Sequence, residues 1–376
     1  MLSAEEARAQ CLAALEEATH SPNQPRAFVG LDGFVDEIIH VVDKREDANH
    51  FDRIPSMAEF AARIAEAAGK STNIELVTQR VKLGGNGPIM ANALASLGVN
   101  VTYVGALGYP NLHPVFQPLS DRSEVFSIAE AAHTDALEFE DGKIMLGKMT
   151  PLNDVTWKTL MERMGRDRLT ERIQAAHLVS FLNWTMIPNL SEVWTSILEE
   201  KILPDRAANR IGFFDLCDPE KRENDDILKA MEILGRFRQH LRVILGLNEK
   251  EAMELADVLG IEIGEATPEG RCELARKLHA QLDVDALVVH PVAYALAVTD
   301  SETVWVPGPF VKKPVITTGA GDHFNAGFSL GALMGFPPRH CLNLGVASSG
   351  HYVRSGRSPE ISDLLAILRH WPDPTE

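Results

Sequence analysis

The sequence predicts an α/β fold in which a doubly wound, mostly parallel sheet is covered by helices on both faces. Helical and strand signals alternate from one end of the chain to the other, and repeated strand–helix units favour a parallel sheet. Short runs that are apolar throughout, such as Ala27–Leu31 and Val243–Leu247, are typical of strands buried on both faces. The 376 residues are 45% hydrophobic and 24% charged, an ordinary globular composition that excludes a disordered or fibrous chain.

The individual elements follow in chain order. Apolar residues at helical spacing predict a helix over the first twenty residues. Ser56, followed three residues later by Glu59, predicts the start of a helix over 56–69. Strands are predicted at 27–31, 99–105, 177–182, 211–216 and 243–247, and further helices at about 157–175, 190–203, 225–240 and 249–258.

Two stretches interrupt this rhythm and predict a second, smaller sheet. Residues 74–83 and 136–146 have the pattern of exposed antiparallel strands, and Asp141–Gly142 is a hairpin-turn dipeptide. No low-complexity linker divides the chain into two equal parts. We therefore expect a single domain over 1–376, with a small β-sheet lid whose strands come from about 37–83 and 123–150.

The charge balance limits the class of partner. The chain has 36 basic and 53 acidic side chains, a formal net charge of −17, and such a surface repels nucleic acid and anionic membranes. The longest apolar stretch, residues 286–298, is too short to span a bilayer. The acidic start is unlike a signal peptide, and four scattered cysteines without a Cys-x-x-Cys pair fit free thiols in a reducing compartment. We expect a cytoplasmic protein that binds neither nucleic acid nor a membrane.

The strongest chemical signal is the run VITTGAGDHFNAG at 315–327. It predicts a strand that ends at Thr317 and Thr318, a glycine-rich turn over 319–321 and a helix over 324–334. Glycines let successive amides point at one anion, and the helix N-terminus adds its positive dipole end. Asp322 stands where a carboxylate could accept a proton from a hydroxyl. The alternative is that Asp322 only caps the helix.

Two further motifs predict contacts with a ligand. Gly84, Gly85 and Asn86 form a turn that opens a helix, where a ligand could approach the backbone and Asn86 offers a donor and an acceptor; packing alone would also explain these glycines. Asp32 and Asp36 follow the first core strand, at the edge where open α/β sheets bind ligands. Their carboxylates suit the vicinal hydroxyls of a polyol, although one of them could instead stabilise a turn.

Polar side chains also follow two later strands. Asn248 and Glu251 stand three residues apart at a helix start and could face a magnesium–phosphate cluster through water. The same spacing makes a capping box, and both interpretations can hold together. Asp215, at the end of the strand 211–216, either contacts Mg²⁺ or phosphate or has no part in binding.

Together these motifs resemble the ribokinase-like (PfkB-type) carbohydrate kinase family. That family's Asp-Thr-x-Gly-Ala-Gly-Asp pattern is matched by 317–322, its Gly-Gly turn and following helix by 84–98, and its Asn-x-x-Glu motif by 248–251. The matches run in the family's order over about 27–357. The resemblance implies a ribokinase-like doubly wound fold and phosphoryl transfer from ATP to a hydroxyl of a sugar or sugar-like polyol.

The resemblance also implies roles for single residues. Asp322 would be the general base, and the amides of Gly319, Ala320 and Gly321 would form the anion hole. Together with the acids at the strand ends, the resemblance gives three expected sites. The substrate would be bound by Asp36, Asp32, Gly84, Gly85 and Asn86, and the nucleotide by Asn248, Thr317, Thr318, Gly321 and Asn343. Mg²⁺ would be bound by Asn248, Glu251 and Asp215.

Four departures from the family pattern make this a divergent member. Ile316 replaces a carboxylate that in the family helps to bind a monovalent cation, which argues against potassium activation. Ile89 replaces an asparagine that contacts substrate in the family. The family's Thr-x-Gly near the nucleotide is replaced by HPVAY at 290–294, and its Gly-Asp-Asp stretch by GYPN at 108–111. The identity of the sugar is therefore left open.

Several alternatives stay open at this point. A nucleoside kinase of the same fold would meet similar hydroxyls on a ribose. A catalytically silent sugar-binding regulatory protein would also keep the fold. The altered motifs near the nucleotide suggest it, whereas the retention of Asp322 and of both glycines argues against it. A dinucleotide-dependent oxidoreductase is disfavoured because no Gly-x-Gly-x-x-Gly follows the first strand. A homodimer formed through the lid is possible on the resemblance alone.

Overall fold

The computed structural model describes residues 3–19, 24–207 and 209–372, and it contains two β-sheets with helices packed against them. The large sheet has nine strands in the order β14-β13-β12-β11-β10-β9-β1-β5-β6. Their bounds are β1 Arg26–Leu31, β5 Asn100–Gly105, β6 Glu124–Ser127, β9 Leu178–Phe181, β10 Ile211–Asp215, β11 Arg242–Leu247, β12 Ala286–Val289, β13 Tyr294–Thr299 and β14 Thr303–Pro307. The strands from β6 to β12 pair in parallel, and β13 and β14 add an antiparallel edge.

Helices cover the large sheet, and the sequence explains why both faces are buried. Successive side chains of a strand point to opposite faces, and on β10 Phe213 packs into one apolar cluster while Phe214 packs into the other. The helices are α1 Ala4–Ala18, α2 Met57–Glu66, α3 Asn86–Ser96, α4 Gln117–Ser120, α5 Trp157–Arg163, α6 Arg166–Ala175, α7 Leu190–Glu199, α8 Asn224–Phe237, α9 Glu249–Val258, α10 Pro268–Gln281, α11 Ala320–Leu333, α12 Pro338–Ser355 and α13 Ile361–Arg369. The doubly wound α/β fold predicted from the sequence is confirmed.

Helices α11 and α12 pack unusually closely. A Cβ atom added at Gly327 would lie 2.4 Å from the Leu344 carbonyl oxygen, and one added at Gly331 would lie 2.9 Å from Cys341 Cα. Contacts this short leave no room for any side chain. The pair therefore forms a fixed base for the loop that precedes α11.

The second sheet consists of β2 Phe34–Arg45, β3 Phe51–Arg53, β4 Leu76–Gly84, β7 Ala132–Phe139 and β8 Gly142–Lys148. Strand β2 is central: it pairs antiparallel with β3 and with β4 and parallel with β7. Helix α2 covers one face, where the Phe60 and Phe139 rings lie 5.5 Å apart. Strands β4 and β8 fall where the sequence predicts strands, and the hairpin turns at Asp141–Gly142 as expected.

Three local predictions are wrong. Within the range 123–150, β6 belongs to the large sheet, where it pairs with β5, and only β7 and β8 join the second sheet. The helix expected over 157–175 is two helices, α5 and α6, because Gly165 between them has a positive φ of 84°. Residues 315–318 form a loop and not a strand.

The state of the cysteines and the character of the helices bear on two expectations from the sequence. All four cysteines are free; Cys11, Cys272 and Cys341 are buried and Cys217 is half-buried. None of the helices described has the length and apolarity that crossing a membrane requires.

Candidate active site

The N-terminus of α11 presents unpaired amides at the carboxyl edge of the large sheet. Gly319 precedes the helix with a φ of 93°, a conformation that favours glycine. The Ala320 amide donates to the Thr317 carbonyl at 3.1 Å, so it is not free for an anion, contrary to the sequence prediction. The amides of Gly321 and Asp322 occupy helix positions that have no intrahelical acceptor, and they face outward with the positive end of the helix dipole.

Asp322 is buried in the first turn of α11 and does not cap the helix. Its Oδ1 accepts a hydrogen bond of 3.0 Å from Nδ2 of Asn86, the first residue of α3. Burial raises the pKa of Asp322 to about 8, while Asn86 and the charge of Lys82 act in the opposite direction. A carboxyl group with this pKa can exchange a proton near neutral pH.

Asp32 holds the turn that precedes α3. Its side chain is completely buried, with Oδ1 accepting from the Gly87 amide at 2.9 Å and Oδ2 accepting from Nδ2 of Asn183 at 2.9 Å. The Tyr103 hydroxyl donates to the Asp32 carbonyl oxygen at 2.7 Å. Both carboxylate oxygens are therefore used within the protein. The expected contact of Asp32 with substrate is replaced by a structural role, and Asn183 and Tyr103 are partners that sequence patterns did not reveal.

Asp36 lies beyond Asp32 on β2, at the base of the second sheet. Its cross-strand neighbours are Lys82 on β4 and Thr134 on β7, and Lys82 Nζ lies 3.9 Å from Asp36 Oδ2. A Cβ atom added at Gly84 would lie 2.3 Å from Asp36 Cγ, so only glycine fits beside this carboxylate. Burial raises the pKa of Asp36, opposed by Lys82, Thr134 and Lys143.

Two lysines of the second sheet face the same cleft. Lys82 is mostly buried, and its charge interacts with both Asp36 and Asp322. Lys143, on β8, contacts Oγ1 of Thr318 in the loop before α11. Burial lowers the pKa of both lysines. Neither lysine belongs to a recognisable motif. For Lys82, the one available signal is the strand pattern of β2 and β4, whose pairing places it opposite Asp36.

Acidic side chains cluster at the ends of β10 and β11. Asn248 and Glu251 form the predicted capping box at the start of α9: Asn248 N donates to Glu251 Oε2 at 2.8 Å, and Glu251 N donates to Asn248 Oδ1 at 2.9 Å. Asp215 is buried; Asn325 donates to its Oδ2 at 2.9 Å, and its Oδ1 has no partner among the described residues. Burial, together with the charges of Glu251 and Asp322, raises the pKa of Asp215 well above its usual value.

This cluster fits a divalent cation that also binds phosphate. Uncompensated negative charge and the unpartnered oxygen of Asp215 favour a cation there. In the described part of the chain, no group of three or more His, Cys, Asp or Glu side chains could hold a metal alone. Mg²⁺ commonly uses one or two carboxylates and completes its shell with water and phosphate oxygens.

A cavity of about 360 Å³ lies on the other side of the loop before α11. Asn248, Thr317, Ala320 and Gly321 line it together with apolar side chains, including Phe310 and Val353. Three of these residues, Asn248, Thr317 and Gly321, belong to the predicted nucleotide site, and their role there stays a prediction. Two other residues predicted for that site do not line this cavity: Thr318 faces Lys143 of the second sheet, and Asn343 lines a separate cavity beside β14.

His290 occupies the position where the family has its Thr-x-Gly motif. Its ring packs against Phe324, with centroids 4.9 Å apart, and lies over Gly321. Burial lowers the pKa of His290 to about 4, so the imidazole is neutral. It therefore forms a neutral wall of the cavity and adds no charge there.

A chain of hydrogen bonds fixes the loop from behind. His323 Nδ1 lies 2.7 Å from the Gly319 carbonyl, and because a carbonyl only accepts, Nδ1 carries the proton. Burial lowers the pKa of His323 to about 4, so Nε2 accepts from the Ser358 hydroxyl at 2.9 Å. Ser358 in turn accepts from Nδ2 of Asn92 at 3.2 Å. His323 is thus a structural link rather than a proton carrier.

Side-chain hydrogen bonds occupy two backbone carbonyls of the same loop, near the position where the family has a cation-binding carboxylate. Ile316 supplies no oxygen ligand, and the Tyr352 hydroxyl already donates to the Thr318 carbonyl at 2.9 Å. The Gly319 carbonyl is occupied by His323. Each carbonyl keeps a second lone pair, so the absence of potassium activation still rests on the missing carboxylate at Ile316 and stays a prediction.

Comparison with known proteins identifies the family. The sequence model of prokaryotic ketohexokinase matches residues 3–371. A ketohexokinase from Haloferax volcanii is 30% identical to the chain over 352 residues, which cover 93% of this chain and 92% of that protein.

Solved structures show the same fold at lower identity. Arabidopsis thaliana ribokinase, complexed with ribose and ATP, matches with a TM-score of 0.61 and 18% identity, covering 92% of this chain and 99% of that one. Phosphofructokinase-2 from Escherichia coli matches with a TM-score of 0.60 and 14% identity, covering 93% of this chain and 99% of that one. The resemblance stated from the motifs is confirmed: the chain belongs to the prokaryotic ketohexokinase family and is a carbohydrate kinase with the ribokinase-like fold.

Proposed function

We propose that this enzyme transfers the terminal phosphoryl group of ATP to a hydroxyl of a ketohexose. The observation that carries the proposal is the buried carboxyl group of Asp322, which accepts a hydrogen bond from Asn86 in the first turn of α11, where the amides of Gly321 and Asp322 are free. The ketohexose is suggested by the name of the Haloferax volcanii relative. ATP is suggested by the ribokinase solved with ribose and ATP.

Asp322 acts as the general base in this proposal. Its pKa of about 8 is close to the working pH, which suits a group that must accept a proton from the attacking hydroxyl. The donor from Asn86 orients the carboxylate, and the charge of Lys82 favours its ionised form. Asp36, at the base of the second sheet, accepts hydrogen bonds from the other sugar hydroxyls, beside the Gly84–Gly85 turn, where only glycine fits next to its carboxylate.

Positive charge on both sides of the cleft stabilises the transferring group. The amides of Gly321 and Asp322 donate from the α11 side, and the Lys143 ammonium, which contacts Thr318, faces it from the second sheet. Phosphoryl transfer depends mainly on positioning and charge stabilisation, which these groups supply. The second sheet then acts as a lid that excludes water from the reacting groups.

A divalent cation completes the proposed site. Mg²⁺, when bound, would neutralise charge on the phosphates. Asp215, with its unpartnered oxygen, and the Asn248–Glu251 pair are the residues that would hold it, in part through water. Asn248, Thr317 and Gly321 also line the nucleotide-side cavity.

A homodimer is a separate proposal. The second sheet exposes four large apolar side chains, namely Leu76, Val81, Met145 and Leu146. Light scattering on the wild type and on a Leu76→Lys/Leu146→Lys variant tests it: conversion of a dimer to a monomer supports an interface there, and a monomeric wild type contradicts it.

Turnover over a substrate panel tests the kinase proposal. ADP release in the presence of Mg²⁺ and ATP is measured with D-fructose, other ketohexoses, ribose, polyols and nucleosides, for the wild type, Asp322→Asn and the exposed control Asp283→Asn. We expect ketohexose-dependent turnover that falls by about 10²-fold or more in Asp322→Asn only. Preference for a nucleoside would establish the alternative kinase. Sugar binding without turnover would identify a silent binding protein.

A further inference from the structure

We propose that a second cavity, behind the loop that precedes α11, binds the phosphate group of a hydroxylated small molecule, and that this ligand regulates the kinase. The cavity encloses about 410 Å³ between β4, α3, α4 and the segment that joins α12 to α13. Its charged side chains are Arg80, Lys82, Arg122, Arg357 and Glu360. We call it the rear cavity.

The charge of the rear cavity is opposite to that of the whole chain. Four cationic side chains and one acid line it, whereas the chain has a net charge of −17. Arg357 is already bound to both oxygens of Asp363, at 2.7 and 2.8 Å. The guanidinium groups of Arg80 and Arg122 are exposed, and neither has a hydrogen-bond or ion-pair partner within 3–19, 24–207 and 209–372. Two guanidinium groups that are free and share one cavity favour a phosphate, which arginine binds with paired hydrogen bonds.

The two free arginines come from different parts of the fold. Arg80 lies on β4 of the second sheet, and Arg122 follows α4 beside the large sheet. An anion that contacts both would link the two sheets. Since Asp36 and Lys143 reach the cleft from the second sheet, such a link would hold the acceptor-binding groups in place. The expected effect of the ligand is therefore on the KM for the sugar more than on kcat.

The wall of the rear cavity is connected to the phosphoryl-binding loop. Tyr352 and His323 both line the cavity, stacked with ring centroids 3.6 Å apart. The Tyr352 hydroxyl donates to the Thr318 carbonyl and the His323 ring to the Gly319 carbonyl. A ligand in this cavity touches the side chains that fix the loop, which gives it a direct route to the active site.

Uncharged polar groups indicate that the ligand also carries hydroxyls. Asn92, Ser96 and Ser358 line the cavity, and Oδ1 of Asn92 has no partner among the described residues. An acceptor of this kind is satisfied by a hydroxyl donor. A phosphate monoester of a sugar, such as the kinase's own product, has both features; free inorganic phosphate has only the first.

The rear cavity is separate from the acceptor site. Asp36, Asn86 and Asp322 do not line it, and the shared boundary is formed by Lys82 and by Ile89, which replaces the family's substrate-contacting asparagine. The regulatory role rests on the proposed kinase function, whereas binding to the cavity does not. Binding is therefore measured in the absence of turnover, so that failure of one proposal can be told from failure of the other.

Calorimetry and kinetics on the full-length enzyme test the proposal. Probes are inorganic phosphate, fructose 1-phosphate and fructose 6-phosphate, each up to about 10 mM, with wild type, Arg122→Ala, Arg80→Ala and the exposed control Arg276→Ala. We expect a phosphate ester to bind wild type and Arg276→Ala and to change the KM for the sugar by at least about threefold. Both effects should weaken about tenfold in Arg122→Ala, whose turnover without the ester stays at the wild-type value.

Three results would overturn it. The first is an absence of binding by every probe. The second is binding that Arg122→Ala and Arg80→Ala leave unchanged, with inhibition that is competitive with the sugar, which would assign the ester to the acceptor site. The third is an equal loss of binding in Arg276→Ala, which would mean non-specific attraction. Stronger binding of fructose esters than of inorganic phosphate identifies a sugar phosphate as the ligand, and equal binding identifies phosphate itself.

Discussion

Nδ2 of Asn86 donates a hydrogen bond of 3.0 Å to Oδ1 of Asp322, and this bond joins the first turns of two helices. Asn86 is the first residue of α3, and Asp322 is the third residue of α11. The positive ends of both helix dipoles therefore point into one cleft. In the proposed mechanism, negative charge that develops between them during phosphoryl transfer would be stabilised by the backbone itself.

Removing the Asn86 amide should shift the pH profile of the reaction. That donor favours the ionised form of Asp322, so Asn86→Leu raises its pKa further above 8. Because the base must be ionised, the acid limb of kcat/KM moves to higher pH. Rates measured from about pH 6 to 10 check this, with the exposed Asn100→Leu as control. An acid limb that stays in place would show that Asp322 is not the titrating base.

Replacing Asp322 should stabilise the protein in a pH-dependent way. In the folded chain its pKa is about 8 against an ordinary value of 3.8, so between these pH values the folded state holds a proton that the unfolded state has lost. This contribution to stability is complete below about pH 4 and is lost as pH rises through 8. Asp322→Asn removes the dependence. Calorimetry should show equal Tm values at low pH and a higher Tm for the variant at pH 8; a constant difference would contradict the assignment.

Lys143 should matter for the chemical step. Its ammonium lies beside Thr318, where it faces the transferring group, so Lys143→Met should lower kcat by about tenfold or more. Lys148→Met on the same strand is a matched control, because Lys148 is exposed and pairs with Asp135 at 2.9 Å. Equal rates for the two variants would remove Lys143 from the mechanism.

The hydrogen-bond chain behind the loop should position the amides of α11. Ser358→Ala breaks the link from Asn92 to His323, and a small displacement of the loop should lower kcat by about tenfold with little change in the KM for the sugar. Ser358→Thr keeps the hydroxyl and should restore the rate. Failure of threonine to restore it, or an equal rise in KM, would indicate a general structural defect.

Monovalent cations should have little effect. The Thr318 and Gly319 carbonyls accept from Tyr352 and His323, and Ile316 adds no ligand. Exchanging potassium for sodium or tetramethylammonium at constant ionic strength should change kcat by less than about twofold. Strong activation by potassium alone would show that a cation displaces these hydrogen bonds.

Part of the site was predictable because its residues lie in short contiguous motifs at the starts of helices. The Asn248–Glu251 pair follows β11 of the large sheet, whereas Asn86 follows β4 of the second sheet and Asp322 follows a loop. The Asn248–Glu251 capping box is local, so spacing alone was enough to predict it.

The residues that sequence analysis missed depend on contacts between distant segments. Lys82 reaches Asp36 through the register of β4 on β2, and Lys143 reaches Thr318 across 175 positions of the chain. Sequence analysis assigned Asp32 to the substrate site because the sequence does not reveal its burial. That burial depends on Asn183, which follows β9, the neighbour of β1 in the large sheet. Asn343 was misplaced because a residue within a long helix can face either of two cavities.

The close packing of α11 on α12 has a consequence for engineering. Gly327 and Gly331 fix the position of the helix that carries Asp322, the proposed base, and the proposed phosphate-binding amides, so these two positions accept no larger side chain. Asp36, Lys82 and Lys143 come from the second sheet, which is built on a separate apolar cluster. A mutant library confined to β2, β4 and β8 can therefore be screened for activity on new acceptor sugars, while the half of the site proposed to transfer the phosphoryl group keeps its sequence.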